Sequence, residues 1–400
     1  MKLLLVNQPL NNRGDEAAHR ALVRSLLAAV PGVEIRVLFF GVDEDSIRQF
    51  SVDDVRVCYV HVKPGRGNVR LIKTAMQTGI LRPALILPCC RRLREQYRWA
   101  DRILCAPGGI CMGGFQNWMH LFHLQLALLE GKPLDYFGRS IGPFPEKTWL
   151  NRRFRSISRR ILTACSYVSL RDTDSEQYAR EWRIPCIPTV DSAFLEHPSA
   201  IIPESVSSLI GTQYVLLVPN LLIWHYAYRD GLTREQSRLF FEDVGKLLER
   251  HFPASRIVLL PQTFNGVDAQ DNDRTFFQDV ASSHPDWVVL PDTLGSDVQQ
   301  RIIGGATCIV GARYHSIVFA VNNETPFVAL SYEHKISGML NRLSLTDRIV
   351  DIRSLGRDRS SEQILEEIDR LLSTMQEPVS RDLAAAIGRE AFSRYVSMLC

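Results

Sequence analysis

The sequence alternates short β-branched runs with longer amphipathic segments, and this alternation restricts the fold more than any other feature. It is typical of βαβ units, because two parallel strands need a crossover of about a dozen residues between them. The first predicted strands lie at 2–6, 34–40, 55–60, 103–106, 134–137 and 166–170. The first predicted helices lie at 15–30, 68–79, 86–98, 116–131 and 149–164. We therefore predict a mostly parallel, doubly wound α/β sheet for the first half of the chain.

A second series of the same kind begins after residues 196–213, which are rich in Pro, Ser and Ile. Its predicted strands lie at 214–219, 256–260, 287–290, 308–311 and 327–331. Its predicted helices lie at 234–251, 271–283, 296–305, 314–322 and 333–343. A chain of 400 residues is also longer than one hydrophobic core usually serves. We predict two α/β domains, 1–200 and 201–358, followed by a helical tail over 359–400.

Composition and charge exclude several classes of protein. The net charge is only +3, so the whole chain is not a nucleic-acid-binding polycation. No run approaches the ~20 apolar residues that span a bilayer, and residues 1–7 are too short for a signal-peptide core. The chain has nine Cys, none in a CxxC pair, which favours a reduced cytoplasmic protein without structural zinc or disulfides.

Two segments are locally basic. The first contains Arg91, Arg92, Arg94 and Arg98, and the second contains Arg152, Arg153, Arg155, Arg159 and Arg160. They are either two solvated helix faces or a surface for an anionic partner. A membrane or a pyrophosphate-linked substrate would be such a partner.

Parallel α/β sheets bind ligands outside the carboxyl ends of their strands, in the cleft that two facing sheets form. Asp15 follows the first predicted strand, either as a helix cap or as a functional acid. Gly108 and Gly109 follow the strand at 103–106, where glycines form a close-packed turn or a cradle of backbone N–H groups for an anion.

Three charged residues follow later strands of the first half. Arg139 lies in a turn of small residues after the strand at 134–137. Arg171 ends the next strand, either paired with Asp172 or Asp174 or directed at an anionic ligand. Asp191 repeats the pattern with an acid.

The densest cluster follows two strands of the second half. Arg313 and His315 follow the strand at 308–311 and lie at the start of an apolar helix. Lys335 follows the strand at 327–331, again at a helix start. A helix N-terminus favours anions, so cations placed there indicate a bound anion.

These motifs, taken in order, resemble the polysaccharide pyruvyl transferase family. The resemblance rests on Asn12–Glu16, Pro107–Gly109, Gly138–Pro143, Ser169–Asp172, Val190–Asp191, Pro261–Gln262, Gly311–Ser316 and Tyr332–Lys335. It implies a GT-B-like fold, with two Rossmann-like domains that face a cleft. It also implies transfer of the pyruvyl group of phosphoenolpyruvate to two sugar hydroxyls, which forms a cyclic ketal and releases phosphate.

The resemblance assigns residues to this reaction. Arg171, Arg313 and Lys335 would bind the donor anion, with Tyr314 lining the pocket. Further candidates for substrate binding are Gly108, Gly109, Arg139 and Asp191. Asp15 and His315 would act as acid and base, and the sequence does not decide which residue takes which role.

We therefore predict a cytoplasmic, phosphoenolpyruvate-dependent transferase that acts on a hexose of a surface polysaccharide repeat, with a 4,6-ketal as product. We expect no metal, no cofactor and no nucleic-acid partner. A lipid-pyrophosphate-linked acceptor would bring the protein to the inner membrane face. The alternatives are a GT-B glycosyltransferase that uses a sugar nucleotide, and a binding protein that has kept the fold without catalysis.

Overall fold

The computed structural model describes residues 1–9, 12–42, 47–48, 50–225, 228, 231–264, 272–374 and 377–399. Residue 271 of a predicted helix and residues 375–376 and 400 of the tail lie outside these ranges. The described residues form two compact units. The first contains residues 1–9, 18–195 and 386–399, and the second contains residues 12–17 and 196–385.

The first unit is built on a parallel sheet. Its strands are β1 (Lys2–Val6), β2 (Glu34–Phe40), β3 (Val57–Val62), β4 (Arg102–Cys105), β5 (Gly108–Met112), β6 (Leu134–Ile141), β7 (Tyr167–Leu170) and β8 (Ile187–Pro188). Their order is β3-β2-β1-β4-β6-β7-β8, with β5 paired to β6. The central strand β1 is covered on both faces, and Leu3, Leu4, Leu5 and Val6 are fully buried. A continuous apolar run of this kind is what a parallel strand between two helical layers requires.

Seven helices in the described part of this unit connect the strands. They are α1 (Arg13–Ala29), α2 (Asn68–Thr78), α3 (Arg82–Leu85), α4 (Pro88–Trp99), α5 (Trp118–Leu129), α6 (Trp149–Thr163) and α7 (Thr173–Glu181). The first turn of α1, residues 13–17, belongs to the second unit. Capping residues in the local sequence fix where several of these helices begin. Thr148 and Asn151 form a reciprocal capping box at the start of α6.

The second unit contains a parallel sheet of six described strands. They are β9 (Tyr214–Val218), β10 (Arg256–Leu259), β11 (Val288–Val289), β12 (Ile309–Gly311), β13 (Phe327–Ser331) and β14 (Ile349–Asp351), in the order β11-β10-β9-β12-β13-β14. The helices are α8 (Glu204–Ile210), α9 (Arg234–His251), α10 (Asp273–Ala281), α11 (Ser296–Gly304), α12 (Tyr314–Asn322), α13 (His334–Arg342) and α14 (Ser361–Thr374). The last helix, α15 (Asp382–Leu399), begins in this unit, and its residues 386–399 belong to the first unit. The strand order reverses between β9 and β12, and such a switch point is where ligands bind to α/β sheets.

The observed elements agree with the predicted alternation apart from a few segments. Gly108–Met112 forms strand β5, whereas a loop was predicted there. Strands β8 and β14 were not predicted. The tail is helical, as predicted, and it is divided into α14 and α15. Among the described residues, no helix is both long enough and apolar enough to cross a bilayer.

Candidate functional site

The carboxyl ends of β10 and β12 in the second unit bring together a buried ion pair. Arg313 precedes α12, and its Nη2 donates to Oδ1 of Asp273, the first residue of α10. The other oxygen of Asp273 accepts hydrogen bonds from the backbone N–H groups of Gln262 (3.0 Å) and Thr263 (2.8 Å). Burial raises the pKa of Asp273, although Arg313 and these hydrogen bonds oppose the rise. Arg313 is therefore held in one orientation, with only part of its guanidinium used.

Two donor groups at this ion pair, one on Gln262 and one on Arg313 itself, have no hydrogen-bond partner among the described residues. The side chain of Gln262 is fully buried, and neither atom of its amide has a hydrogen-bond partner among the described residues. The same holds for Nε of Arg313. Nearly all buried polar side-chain atoms in proteins are hydrogen-bonded, and an exception needs an explanation. A polar ligand that bonds to these atoms would supply it.

Gln262 and Asp273 were not among the predicted site residues. Pro261–Gln262 had been noted only as a motif, and Asp273 resembles an ordinary acid in the first turn of a helix. The remaining signal was position, since both residues follow β10, a buried strand that pairs with β9 next to the switch point.

His315 lies directly against Gly14. A Cβ added to Gly14 would lie 1.7 Å from Cγ of His315, so only glycine leaves room for this ring. The ring also makes an edge contact with Tyr314, at 5.0 Å between centroids. Asp15, the next residue after Gly14, is buried in the first turn of α1. Asp15 and His315 are therefore brought into the same unit.

Asp15 was predicted to belong to the first domain, but it lies in the second unit. Hydrogen bonds of the neighbouring residues explain this position. The Arg13 N–H donates to the carbonyl of Gln262 (2.9 Å), and the Asn12 amide donates to Oγ1 of Thr263 (3.1 Å). These bonds group residues 12–17 with the second unit. Oδ1 of Asn12 accepts from the Gly14 N–H (2.7 Å), so the start of α1 has a capping group other than Asp15.

A second buried pair anchors the same turn. Nη1 of Arg13 donates to Oε2 of Glu16 (2.8 Å), and Nη2 donates to the carbonyl of Asp292 (2.9 Å). The other oxygen of Glu16 accepts from the Ser296 N–H at the start of α11 (3.3 Å). A buried carboxylate at a helix N-terminus is favourable. Arg13 and Glu16 therefore act on the position of Gly14 and Asp15.

Lys335 lies at the start of α13 and pairs with a buried carboxylate. Its Nζ lies 2.6 Å from Oε1 of Glu333 and 5.6 Å from the centre of the Tyr314 ring. Burial works against ionisation of Glu333, but the charges of Lys335 and His225 outweigh it and the pKa of Glu333 is lowered. Glu333 is therefore ionised at neutral pH and holds Lys335 beside Tyr314.

The predicted residues of the first unit have a different environment. Arg171 and Asp191 are fully buried and form an ion pair, and Nε of Arg171 also donates to Oγ of Ser140 (3.0 Å). The sequence left open that Arg171 pairs with Asp172 or Asp174. In the structure Asp172 has another role. That residue instead caps α7 by accepting from the Ser175 N–H (2.8 Å).

Arg139 is also fully buried, and it bonds to the glycine segment. Its guanidinium donates to the carbonyls of Asn7 (3.2 Å), Ala106 and Gly109 (3.2 Å). Gly108 has a φ of 150°, and a Cβ there would lie 2.7 Å from Pro9, whereas a Cβ on Gly109 would meet open space. The role of Arg139, Gly108 and Gly109 in substrate binding stays a prediction.

The fold places the chain among two-domain, Rossmann-like proteins of the GT-B type. UDP-GlcNAc 2-epimerase from Neisseria meningitidis, solved with UDP-GlcNAc, has a TM-score of 0.57 at 13% identity, covering 98% of this chain and 100% of that chain. A ugt transferase from Siraitia grosvenorii, solved with UDP, has a TM-score of 0.56 at 12% identity and 99% coverage of both chains. At these identities the likeness establishes the fold, and the prediction of a GT-B-like fold is confirmed.

The family follows from the sequence itself. The family model of polysaccharide pyruvyl transferases matches residues 12–334, which is most of the chain. The chain belongs to this family and is a transferase. A further relative is the amylovoran biosynthesis protein AmsJ of Erwinia amylovora, 23% identical over 430 aligned positions, which cover 98% of this chain and 96% of the relative. The predicted family is thereby confirmed.

Proposed function

We propose that this protein transfers the pyruvyl group of phosphoenolpyruvate to two hydroxyls of a hexose in a polysaccharide repeat. A 4,6-ketal is the expected product, because those hydroxyls close an unstrained six-membered ring. The family supports the transferase activity, and the relative named for amylovoran biosynthesis supports a biosynthetic role. The observation that carries the proposal is the unpartnered Gln262 amide beside Arg313 at the switch point of the second sheet.

Phosphoenolpyruvate suits this group of side chains. Its carboxylate and phosphate need several fixed donors. Arg313 and Lys335 offer them at the starts of helices, and Gln262 offers its amide in the segment after β10. Asp273 and Glu333 hold the two cations in position before the substrate arrives. Donors that are already oriented need no reorganisation when charge develops in the transition state.

The chemistry needs an acid and a base. Protonation of C3 of the enol makes C2 electrophilic, and a first sugar hydroxyl adds to C2 while it releases its proton. The bond between C2 and the phosphate oxygen then breaks, phosphate leaves, and the second hydroxyl closes the ring with loss of its proton. His315 and Asp15 are the proposed acid and base, in either assignment, because they flank Gly14 in one unit.

The first test is thermal stability with phosphoenolpyruvate against a panel of UDP- and GDP-sugars. A ligand at 100 times its Kd adds about 2.7 kcal/mol of stability. We expect phosphoenolpyruvate to raise the Tm and the nucleotide sugars to leave it unchanged. The reverse result would favour the glycosyltransferase alternative. No shift with either class would favour a binding protein without catalysis.

The substitution Gln262→Leu separates binding from structure. Leucine removes an amide without a described partner, so the free protein should keep or gain stability, while its Tm shift with phosphoenolpyruvate should shrink. Gln299→Leu is the matched control, because Gln299 is equally buried but its Nε2 donates to the Pro261 carbonyl (2.8 Å). That variant should lose stability. A Gln262→Leu protein with an unchanged ligand shift would contradict the assignment of Gln262.

A further inference from the structure

Large apolar side chains are exposed on neighbouring elements of the first unit. They lie on α2, on the segment that follows it and at the start of α6, and they are Val69, Leu71, Ile80, Ile86, Trp149 and Leu150. The most exposed are Ile86 (71%), Ile80 (66%) and Trp149 (58%). A group of exposed apolar side chains of this size indicates an interaction site. We refer to this group as the α2–α6 surface.

The elements that carry these side chains are in contact with one another. Helix α2 packs against both α3 and α6. Gly79 ends α2 with a φ of 86°, and a Cβ there would lie 2.4 Å from a guanidinium nitrogen of Arg153. Arg153 in turn lies over the Trp149 ring, at 5.6 Å from its centre. The turn that exposes Ile80 is therefore next to the start of α6, which exposes Trp149.

The charge around the α2–α6 surface is mostly positive, and the exposed Glu146 just before α6 pairs with Arg155. The sequence contains no Asp or Glu between residues 55 and 94, or between 147 and 171. The exposed cations of these stretches include Arg66, Arg70, Lys73, Arg82, Arg91 and Arg152. Other arginines of the basic runs are held by acids elsewhere, since Arg94 and Arg98 pair with Glu130. The cations near the exposed apolar side chains thus face solvent.

We propose that the α2–α6 surface binds to an anionic lipid bilayer. Exposed Ile and Leu side chains would enter the boundary between headgroups and acyl chains, Trp149 would lie at the headgroup level, and Arg and Lys would meet anionic headgroups. A nucleic acid would use the cations but not the aliphatic side chains. A second copy would place like charges against each other. The proposal does not depend on the reaction that the protein catalyses.

The test is flotation of the full-length protein with vesicles of phosphatidylcholine alone or with added phosphatidylglycerol. We expect binding only to the vesicles that contain phosphatidylglycerol. The variant Arg70→Gln/Lys73→Gln/Arg82→Gln should bind on the order of 100-fold more weakly, at about fivefold for each charge. The variant Ile80→Ser/Trp149→Ser should bind at least about tenfold more weakly, because buried apolar area contributes to the same equilibrium.

Matched controls change the same residue types elsewhere. Ile201→Ser removes an apolar side chain that is 90% exposed in the second unit, and Arg250→Gln/Arg353→Gln/Arg394→Gln removes three exposed charges. Both controls should bind vesicles as the parent does. Equal losses in the controls, or no binding of the parent to phosphatidylglycerol, would overturn the proposal. The proposal would also be overturned if the parent protein formed a dimer, did not bind vesicles, and became monomeric in the Ile80→Ser/Trp149→Ser variant.

Discussion

Gly14 has no side chain because the His315 ring occupies the space that a Cβ would fill. The requirement is steric and local, yet it links two residues far apart in the sequence. His315 is held at the start of α12 by backbone geometry, while Gly14 is held by the bonds of Asn12 and Arg13 to Thr263 and Gln262. The distance between the Asp15 and His315 side chains therefore depends on how closely Gly14 can approach the ring.

We expect Gly14→Ala to displace His315. The added methyl would lie far inside van der Waals contact, so the ring or the first turn of α1 must move, at about 1–3 kcal/mol of stability. Turnover should fall at least about tenfold, because small misplacements of catalytic groups have large effects on rate. Gly295→Ala is the control, since its Cβ would lie 3.5 Å from Glu16. Full turnover in Gly14→Ala would show that the His315 position is not critical.

His315→Gln tests proton transfer. If His315 transfers a proton, turnover should fall by a factor on the order of 10²–10⁴ while the Tm shift with phosphoenolpyruvate persists. His334→Gln, at the start of α13, is the matched histidine control and should keep its turnover. A His315→Gln enzyme within about tenfold of the parent, with chemistry shown to be rate-limiting, would exclude the catalytic role. A loss confined to ligand binding would make His315 a binding residue instead.

Arg171 and Asp191 should contribute strongly to stability. Removing one partner of a buried ion pair leaves an uncompensated charge, so we expect Arg171→Met to destabilise the protein by about 3–5 kcal/mol. The double variant Arg171→Met/Asp191→Leu should recover much of that loss. Chemical denaturation of the two variants measures both values. If Arg171→Met and the double variant were equally unstable, the loss of stability in Arg171→Met would not come from the unpaired Asp191.

At the scale of elements, helix α5 is unusual because its two histidines are buried with its apolar side chains. Burial lowers the pKa of His123 to about 4 and lowers the pKa of His120 well below its ordinary value. The Tyr97 hydroxyl donates to the His123 carbonyl (2.9 Å) and lies 3.1 Å from Nδ1 of the His123 ring. Both histidines are therefore neutral in the folded protein at physiological pH, and α5 packs as an apolar helix.

This burial predicts a pH dependence of stability. Between pH 6.5 and 4 the unfolded chain binds a proton at His123 that the folded protein excludes, so stability is lost as the pH falls through this window. His123 alone should account for about 2 kcal/mol of the loss at pH 5. Denaturation at pH 7 and pH 5 measures the change, and His123→Gln should show a smaller one. Parallel pH profiles for parent and variant would contradict the prediction.

At the scale of the whole molecule, each unit presents a surface with its own proposed role. The second unit carries the proposed donor site at the carboxyl edge of its sheet, where β10 lies on one side of β9 and β12 lies on the other. The first unit carries the α2–α6 surface. An acceptor linked to a lipid pyrophosphate would be found at the membrane that this surface is proposed to bind.

We therefore expect the form of the acceptor to decide how much the α2–α6 surface matters. The variant Arg70→Gln/Lys73→Gln/Arg82→Gln should lose on the order of 10-fold or more of its activity on a lipid-linked acceptor in anionic vesicles. It should keep parental activity on a soluble sugar acceptor, because none of the three residues is assigned to the reaction. Equal activity of parent and variant on both acceptors would show that these cations only form a solvated helix face.

Much of the fold was predictable from local pattern. Strands β1, β2 and β13 were predicted with the bounds that the structure shows, because continuous apolar runs are visible in any short window. Strand β5 was missed because Gly108 and Gly109 disfavour strands, and its pairing with β6 depends on a neighbour outside the window. The contacts of the site likewise depend on residues distant in the sequence, since Asp273 and Arg313 are 40 positions apart.

The sequence by itself determined two parallel α/β units, the family, and the set of strand ends where charged residues gather. Each of these depends on periodicity or on short motifs, which are local properties of the chain. Only the tertiary structure decided that Arg171 pairs with Asp191, that Gln262 is buried beside Arg313, and that residues 12–17 belong to the second unit. The physical reason is that ion pairs, hydrogen bonds and close contacts depend on distances in space, and the backbone bonds from residues 12–13 to residues 262–263 join segments that no local pattern connects.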